Sequence, residues 1–542
     1  MDFKLLTLII IASIAKVTAE IKSRRDEETG NNSNDRYPPD EVRTPNPFWT
    51  TPAWPQVTIP KGGIKLRLTQ HGFDYLSSVA MALVAKELDG VTLPHIFVSK
   101  GPFKVNITSI NITDNPPPKI AIKTVPGFGL RVSISEMAPI LEADFKNRMG
   151  YGFFSMEKEG QMFVKSENIS FDVDLRIGRD NASRPTVEVT NCNGSGYARA
   201  RFAGGWCDGL NALSVFFSKE IKSILFAQIC WRFKQDIGQN LTQLLQKVPA
   251  SYVVGKVFEL DYGLANFPYF SDFAMESVHK GVVYLVNKEG ERMQPPFDPP
   301  RLPPVETHNK SMLYIYISSY TLNTAAYAAF HSGKLAINVT RSMIPGNYGE
   351  YLKTTCPGKT CVGTIFPQLA MRHPNTEVTL QIKAKEPPHI DFKNGKISVR
   401  AGVDAEVHVA NDGRLLTINA NLTTECQVAV RDGKLIFNFT EITPTTSISD
   451  SVIPELNGSG FLLNGLARMA TQQFLKPKLA EYGQKGVKLP SHKDVEITNA
   501  QIIFEESLPD VIVISGDVRY LGPMPTQPPR TEPTPSTRKY KC

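Results

Sequence analysis

The sequence predicts an α+β protein made of two similar halves, each a twisted antiparallel sheet wrapped around long helices. Three observations support this prediction. Apolar residues recur at every second position, the pattern of a strand with one buried face, in much of residues 62–522. Apolar stripes at helical spacing interrupt these runs at residues 74–88, 209–248 and 461–482. The sequence Gly-Val-Thr-Leu-Pro at residues 90–94 returns as Gly-Val-Lys-Leu-Pro at residues 486–490, which indicates an internal duplication.

Length and charge narrow the class of protein. A chain of 542 residues exceeds one ordinary hydrophobic core, so at least two large domains are expected. The formal net charge of +7 is small for this length, and part of it lies in residues 523–542, which we predict to be a disordered basic tail. This weak charge argues against a nucleic-acid partner.

The first 61 residues are predicted to lie outside the folded domains. Residues 1–19 combine Lys4, a short apolar run and a small-residue cleavage site, which predict a signal peptide and a secreted, extracellular, soluble protein. Residues 20–61 are polar and rich in proline, which predicts a flexible leader. Trp49 and Trp54 are unusual in such a segment, and we expect them to dock on the folded body rather than to bind a ligand.

A secreted chain with many acceptor motifs is expected to be a glycoprotein. The pattern Asn-x-Ser/Thr occurs at Asn31, Asn106, Asn111, Asn168, Asn181, Asn193, Asn240, Asn309, Asn338, Asn421, Asn438 and Asn457. One match alone means little, but twelve behind a signal peptide predict that some are glycosylated.

The first folded elements are a short strand and an apolar helix. Residues 64–69 alternate apolar and polar side chains, which predicts a strand with one buried and one solvated face. Residues 70–72 are predicted to form a turn, and a helix is expected from Asp74, as its N-cap, to Leu88, with Gly90 ending it. Since almost every face of this helix is apolar, a sheet or an apolar ligand should surround it.

These residues carry a resemblance. The motif Gln-His-Gly-Phe-Asp-Tyr at residues 70–75, the apolar helix and the exit Thr-Leu-Pro resemble the amino-terminal signature of a secreted lipid-binding family. Its members include bactericidal/permeability-increasing protein, lipopolysaccharide-binding protein, phospholipid transfer protein and cholesteryl ester transfer protein. The resemblance implies a boomerang of two pseudo-symmetric tubular barrels joined by a central sheet. It also implies that each barrel holds a phospholipid.

The remainder of the first half, residues 62–292, is predicted to be a meander followed by a long helix. Strand-like runs cover residues 103–112, 119–124, 130–135, 153–158, 161–164, 169–177 and 186–190. Turns are predicted at residues 147–150 and at Glu159-Gly160. The helix of residues 209–248 is predicted to end before Pro249.

The second half repeats this order after residues 293–304, a stiff proline-rich linker. Within residues 305–522 we expect a strand at 312–317, a short helix at 322–330, strands with clear alternation from Ile397 to Val409, and a final strand at 512–520. Asn394-Gly395, Asp412-Gly413 and Asp432-Gly433 predict hairpin turns. Pro477 is expected to kink or shorten the helix of residues 461–482.

The chain has seven cysteines, so at least one has no partner within the chain. The resemblance implies a disulfide between Cys192 and Cys230. Cys356 and Cys361 are close enough in sequence to close a small surface loop. Cys207, Cys426 and Cys542 stay unassigned.

Motifs for covalent chemistry are missing from the sequence. There is no Gly-x-Ser-x-Gly, no His-Glu-x-x-His and no Cys-x-x-Cys. Residues 357–360 imitate a phosphate-binding loop, but Lys353 stands where the earlier glycine belongs. We therefore expect no enzyme activity, no metal and no cofactor, with bound lipid as the ligand.

The resemblance makes the barrel interiors the predicted binding sites. The predicted lining is Leu76, Val79, Leu83, Val84, Phe216, Ile224 and Leu225 in the first barrel, and Leu462, Leu466 and Met469 in the second. The expected partners are phospholipids or related amphipathic lipids, membranes or lipid particles in transient contact, and a cell-surface receptor as a further candidate. Barrels with solid interiors remain an alternative to barrels with tunnels.

Three other functions stay open. One is lipopolysaccharide binding, which the family's endotoxin-binding members perform with a basic amino-terminal tip; the corresponding residues 142–165 balance basic against acidic side chains and so favour phospholipid. The others are a secreted hydrolase and an interaction protein that binds no lipid.

Overall fold

The structure is a computed structural model that describes residues 59–522 apart from 88–91, 94, 115–117, 152–153, 248, 306, 345, 394, 410–412, 453–459 and 490–494. The predicted signal peptide, nearly all of the leader and the predicted tail lie outside these residues. Among the residues described, no helix is both long and apolar enough to cross a membrane.

A central antiparallel sheet joins the two halves. Its six strands, in spatial order, are β12 (Tyr269–Phe270), β13 (Ala274–His279), β1 (Ile64–Thr69), β16 (Leu313–Ser318), β25 (Val511–Tyr520) and β24 (Val495–Phe504). Strand β1 pairs with β13 of the first half on one side and with β16 of the second half on the other. The predicted connection between the halves is therefore present.

Both faces of β1 are buried, so the prediction of one solvated face is wrong. Lys65, Arg67 and Thr69 are only 1%, 3% and 1% exposed. The proline-rich linker and the segment that follows it cover this face, since Lys65 Nζ donates a hydrogen bond to the carbonyl oxygen of Pro303 and Thr69 Oγ1 to that of Ser311.

The first barrel is an eight-stranded antiparallel sheet. Its strands are β2 (Thr92–Leu93), β3 (Ile96–Lys100), β4 (Phe103–Asp114), β5 (Lys119–Val125), β6 (Gly129–Met137), β7 (Ile140–Tyr151), β8 (Phe154–Arg179) and β9 (Pro185–Gly204). The main order is β2-β4-β7-β8-β6-β5, with β3 on β4 and β9 on β8.

Two predicted turns of this barrel are wrong, because long strands pass through them. Residues 147–150 lie within β7, which pairs with β8 as far as Tyr151 opposite Phe154. Gly160 lies within β8, where a Cβ atom would come 2.6 Å from the Phe145 ring and 2.4 Å from the Ala203 carbonyl oxygen. Glycine therefore permits close packing at this position rather than a turn.

Helices close the first barrel. They are α1 (Gln70–Glu87), α2 (Cys207–Ala212), α3 (Ser214–Arg232), a π-helical turn (Phe233–Ile237) and α4 (Gly238–Gln246). The turn predicted at residues 70–72 is wrong: α1 begins directly after β1, and the Gln70 side chain donates hydrogen bonds to Asp74 and to the carbonyl oxygen of Ile122. Gly90 lies outside the described residues.

A small sheet precedes the linker. Its strands are β10 (Ser251–Val254), β11 (Phe258–Asp261), β14 (Val282–Val286) and β15 (Arg292–Met293), in that order. The Arg292 guanidinium forms two hydrogen bonds with the Glu259 carboxylate, of 2.6 and 2.7 Å. This pair fastens the start of the linker to β11.

The second barrel is a seven-stranded antiparallel sheet. Its strands are β17 (Ala336–Val339), β18 (Val378–Ala384), β19 (His389–Lys393), β20 (Lys396–Val409), β21 (Gly413–Arg431), β22 (Lys434–Ser451) and β23 (Val487–Lys488). The order is β17-β18-β20-β21-β22-β23, with β19 on β20. The hairpin predicted at Asp432-Gly433 is confirmed, since both residues have positive φ, 51° and 67°, between β21 and β22.

The second half contains both predicted helices and two short helices, Val362–Ile365 and Pro367–Arg372, that were not predicted. They are α5 (Ser319–His331), α6 (Val362–Ile365), α7 (Pro367–Arg372), α8 (Gly460–Ala470), a π-helical turn (Thr471–Leu475) and α9 (Lys476–Lys485), with 3₁₀ turns at Arg341–Met343 and Gly346–Leu352. Pro477 lies in the first turn of α9, directly after the π-helical turn. The residues before Pro477 are also helical, so the helix continues past it, and the adjacent π-helical turn is the irregularity that accompanies the missing backbone donor.

Candidate ligand-binding interiors

The interior of the first barrel is tightly packed along its longest strand. Every inward-facing residue of β8 from Met162 to Ile177 is buried, and none is more than 5% exposed. Ser166 and Phe171 lie in the middle of this row. The described side chains of β8 therefore leave no accessible apolar surface along this side of the barrel.

The structure divides the predicted lining of the first barrel between two clusters. Leu76 and Val79 of α1 are 1% exposed and belong to one cluster with Leu241 and Leu245 of α4. The three residues predicted from the second helix, Phe216, Ile224 and Leu225, belong to another cluster on α3. The side chains of Leu83 and Val84 lie outside the description, so their predicted contact with lipid stays a prediction.

The inner face of the second barrel is closed at its ends and accessible in its middle. On β20, Ile397, Val407 and Val409 are buried. Between them, Val399, Ala401, Val403 and Ala405 are only partly buried, although they lie on the same face because strand residues alternate. Apolar side chains of the inner face thus remain accessible over four consecutive inward positions.

The neighbouring strand repeats the pattern in register. Ala405, Val403 and Ala401 pair with Ile418, Ala420 and Leu422 of β21, all three partly buried. Leu416 and Thr424, at the two ends of this row, are buried. The two rows define an apolar patch, named here the open patch: Val399, Ala401, Val403, Ala405, Ile418, Ala420 and Leu422.

Helix α8 brings predicted lining residues to this barrel. Leu466 is partly buried and packs against the cluster that contains Val407, Leu416 and Leu463. Met469, one turn further along the helix, is also partly buried. The side chain of Leu462 lies outside the description. Leu466 therefore packs at the closed end that borders the open patch.

The described residues include one disulfide in each half of the chain. A disulfide joins Cys192 of β9 to Cys230 of α3, the pair that the resemblance implied, and another joins Cys356 to Cys361. Cys426 is free and buried, and burial raises the pKa of its thiol to about 11. At neutral pH this thiol is protonated and is a poor nucleophile.

The amino-terminal tip shows balanced charge. Lys146 Nζ lies 2.8 Å from a carboxylate oxygen of Glu159, and this contact raises the pKa of Lys146. Arg148 stands opposite Glu157 in the β7–β8 register. Each of these cations therefore faces a carboxylate on the neighbouring strand.

Sequence reasoning missed an ionic cluster on the covered face of the central sheet. Arg67 Nη1 lies 2.7 Å and Lys65 Nζ 3.6 Å from the Glu276 carboxylate, which is 4% exposed. Desolvation lowers the pKa of Lys65 to about 8, although Glu276 opposes this shift. The alternation of residues 64–69 could not reveal the cluster, because solvated and paired cations give the same pattern.

A histidine extends this cluster toward the second half. His308 Nδ1 lies 2.8 Å from the Tyr316 hydroxyl, and its Nε2 lies 3.0 Å from a Glu505 carboxylate oxygen. Burial lowers the pKa of His308, against the effect of Glu505. Within the described part of the chain, no group of three or more His, Cys, Asp or Glu side chains is arranged to hold a metal ion.

Two family descriptions match consecutive parts of the chain. Residues 72–248 match the N-terminal domain of the LBP / BPI / CETP family, and residues 253–520 match its C-terminal domain. A solved structure, the crystal structure of lipopolysaccharide binding protein, aligns with a TM-score of 0.54 at 19% identity over 85% of this chain and all of that chain. Its similarity supports the two-barrel fold.

Relatives with different names are similar over most of their length. Bactericidal permeability-increasing protein of Sebastes schlegelii is 25% identical over 85% of this chain and 96% of its own. Lipopolysaccharide-binding protein of Homo sapiens is 24% identical over 85% of this chain and 94% of its own. Phospholipid transfer protein of Mus musculus is 23% identical over 63% of this chain and 67% of its own. The chain therefore belongs to the LBP / BPI / CETP family.

Proposed function

We propose that this protein is a secreted lipid-binding and lipid-transfer protein. It holds acyl chains of phospholipids or related amphipathic lipids in apolar barrel interiors, one lipid per barrel, and moves them between membranes or lipid particles without covalent chemistry. Family membership supports the general class, because the relatives include a phospholipid transfer protein.

The observation that carries the proposal is the open patch of the second barrel. A solid core would bury Val399, Val403 and Leu422 as it buries the ends of the same strands. Three of the seven patch residues are alanines, whose side chains fill less volume at inward positions than valine or leucine would. An acyl chain has the shape and polarity to cover such an apolar surface.

The energy of lipid hydration explains why such a site is useful. Each methylene costs about 0.8 kcal/mol to expose to water, so a two-chain lipid faces roughly 20 kcal/mol or more when it leaves a membrane alone. A protein that offers an apolar path removes most of this barrier.

The charge at the amino-terminal tip favours phospholipid over lipopolysaccharide. Recognition of a phosphorylated saccharide lipid calls for cations that are free to meet phosphate groups. At this tip Lys146 is paired with Glu159, and Arg148 faces Glu157. Lipopolysaccharide binding is therefore the second candidate.

Lipid uptake by the delipidated, full-length secreted protein tests the proposal. A phosphatidylcholine with a fluorescent acyl chain serves as the probe. Leu422→Glu places a carboxylate in the open patch and should remove the uptake of the second barrel, because burying a charge against an acyl chain is unfavourable. Ala429→Glu is the matched control, since Ala429 is exposed on the same strand and, unlike Thr423, belongs to no glycosylation motif.

Three results would contradict the proposal. They are a lack of uptake by the unsubstituted protein, equal uptake by Leu422→Glu and Ala429→Glu when both fold as judged by circular dichroism, and release of a hydrolysed product. Displacement of the probe by lipopolysaccharide, weakening as salt increases, would assign the protein to the second candidate instead.

A further inference from the structure

A cavity of about 850 Å³ lies where the linker meets α5, outside both barrel interiors. Its wall comes from the linker, the start of α5, the β18–β19 connection and the β24–β25 connection. Representative wall residues are Phe297, Pro303, Tyr320, Pro388 and Leu508. None of the residues of the open patch lines it. Its size is in the range of pockets that take drug-sized ligands, about 300–1,000 Å³.

Five prolines and the rings of Phe297 and Tyr320 supply much of the apolar part of the wall, and polar and charged residues supply the rest. Phe297 is 39% exposed, and its ring lies edge-on to the rings of Tyr320 and Tyr327, with centroids 6.2 and 5.8 Å apart. Asp298, Glu386 and Asp510 add carboxylate groups to the same wall, and Arg301 adds a guanidinium group. The cavity thus offers apolar and aromatic surface together with hydrogen-bond acceptors.

The described part of the chain begins next to this cavity. Ile59, the first described residue, lines the wall and is 38% exposed. Directly after it, the Pro60 carbonyl oxygen accepts a hydrogen bond of 3.3 Å from the Leu302 amide, and the Gly62 amide donates one of 2.9 Å to the Pro300 carbonyl oxygen. The leader therefore joins the folded body next to the cavity, and these bonds fix the point where it does so.

We infer that the cavity is the docking site of the leader, with Trp54 as the anchoring side chain. Trp54 lies five positions before Ile59, and an extended chain reaches about 17 Å over that distance in sequence. The indole ring suits a pocket of prolines and aromatic rings, and its N–H group needs an acceptor when buried, which Glu386 or Asp510 can supply. Docked in this way, the leader covers Phe297 and straps the linker to α5.

Tryptophan fluorescence of the full-length secreted protein tests the inference. Trp49→Phe, Trp206→Phe and Trp231→Phe together leave Trp54 as the single reporter. We expect Trp54 to be protected from quenching by acrylamide. Phe297→Ser removes part of the wall and should raise the quenching constant several-fold. The matched control is Ile337→Ser, which removes an apolar side chain 51% exposed on β17, outside the cavity.

A second cavity substitution guards against a local folding defect. Pro387→Arg places a long cation in the wall and should raise the quenching constant as Phe297→Ser does. The inference is overturned if Trp54 is as accessible as a free tryptophan in the reporter protein, or if neither cavity substitution changes its quenching. It is also overturned if the protection disappears on dilution, because the cavity would then hold a second copy of the chain. These outcomes do not depend on lipid uptake.

Discussion

Replacing Glu276 with glutamine should destabilise the protein strongly, although glutamine has nearly the same shape. Glu276 is the carboxylate that faces both Arg67 and Lys65 on the covered side of the central sheet. Without this negative charge, each buried cation keeps a hydrogen bond to a backbone carbonyl oxygen but loses its counter-ion. These bonds run from Lys65 Nζ to Pro303, at 2.6 Å, and from Arg67 Nε to His308, at 2.7 Å. An arginine side chain in a protein does not lose its proton, so proton loss cannot relieve the whole cost.

The expected magnitude follows from burial. All three side chains are less than 5% exposed, and removing one partner of a buried ion pair typically costs about 3–5 kcal/mol. Loss of the Lys119–Glu136 pair, whose side chains are 65% and 58% exposed, should cost less than about 1 kcal/mol. Glu136→Gln is therefore the matched control.

Urea unfolding followed by circular dichroism measures the effect. The free energy of the transition that melts the central sheet should fall for Glu276→Gln and stay nearly constant for Glu136→Gln. Equal stability of the two variants would refute the argument that this cluster is buried and mutually compensated. A Glu276→Gln protein that folds only at high salt would support it, since salt screens the two uncompensated cations in the partly opened state.

Two further predictions concern Lys65 and Gly160. The pKa of Lys65 is about 8 in the folded chain against 10.5 in the unfolded chain. Between pH 8 and pH 10.5 the unfolded chain therefore binds more protons than the folded chain. The free energy of unfolding, relative to that of Lys65→Met, should rise with pH by roughly 3 kcal/mol over this range. Unfolding at a series of pH values checks the sign, and a flat difference would contradict it. Gly160→Ala should cost about 1–3 kcal/mol, because its Cβ atom would meet Phe145 and a backbone oxygen. Gly465→Ala, in α8 with open space around it, should instead stabilise by about 0.5–1 kcal/mol, and thermal denaturation compares the two.

The sequence was sufficient for the fold class because periodicity reports which face of an element is buried. The alternation from Ile397 to Val409 predicted β20, and the helical stripe of residues 209–248 predicted α3 and α4. The prediction was wrong where one residue type occurs in two kinds of structure. Glycine is common in turns, but Gly160 lies within a strand and permits close packing. Residues 70–72 were predicted as a turn, but they begin a helix because β1 continues into α1 without a reversal.

Charged positions were misjudged for a different reason. The alternation of residues 64–69 shows that Lys65 and Arg67 lie on the face opposite to Leu66, and solvent is the usual environment of such cations. Their partner Glu276 is about two hundred residues away in sequence, and the linker that covers them has no pattern that points to β1. Only the register between β1 and β13 brings these charges together.

Alternation identifies the inner face of a barrel but not how full the barrel is. Val403 and Val407 are the same residue type on the same face of β20, yet one is partly buried and the other is 2% exposed. The difference comes from what lies opposite, because Val407 meets α6, α7 and α8 through their cluster, whereas Val403 pairs with Ala420. The alanines at positions 401, 405 and 420 are the sequence signal of this partial burial, since each gives an inward position less volume than valine or leucine would. A barrel that kept this inner face but replaced those alanines with leucine should therefore be stable, and its uptake of the fluorescent phosphatidylcholine should fall.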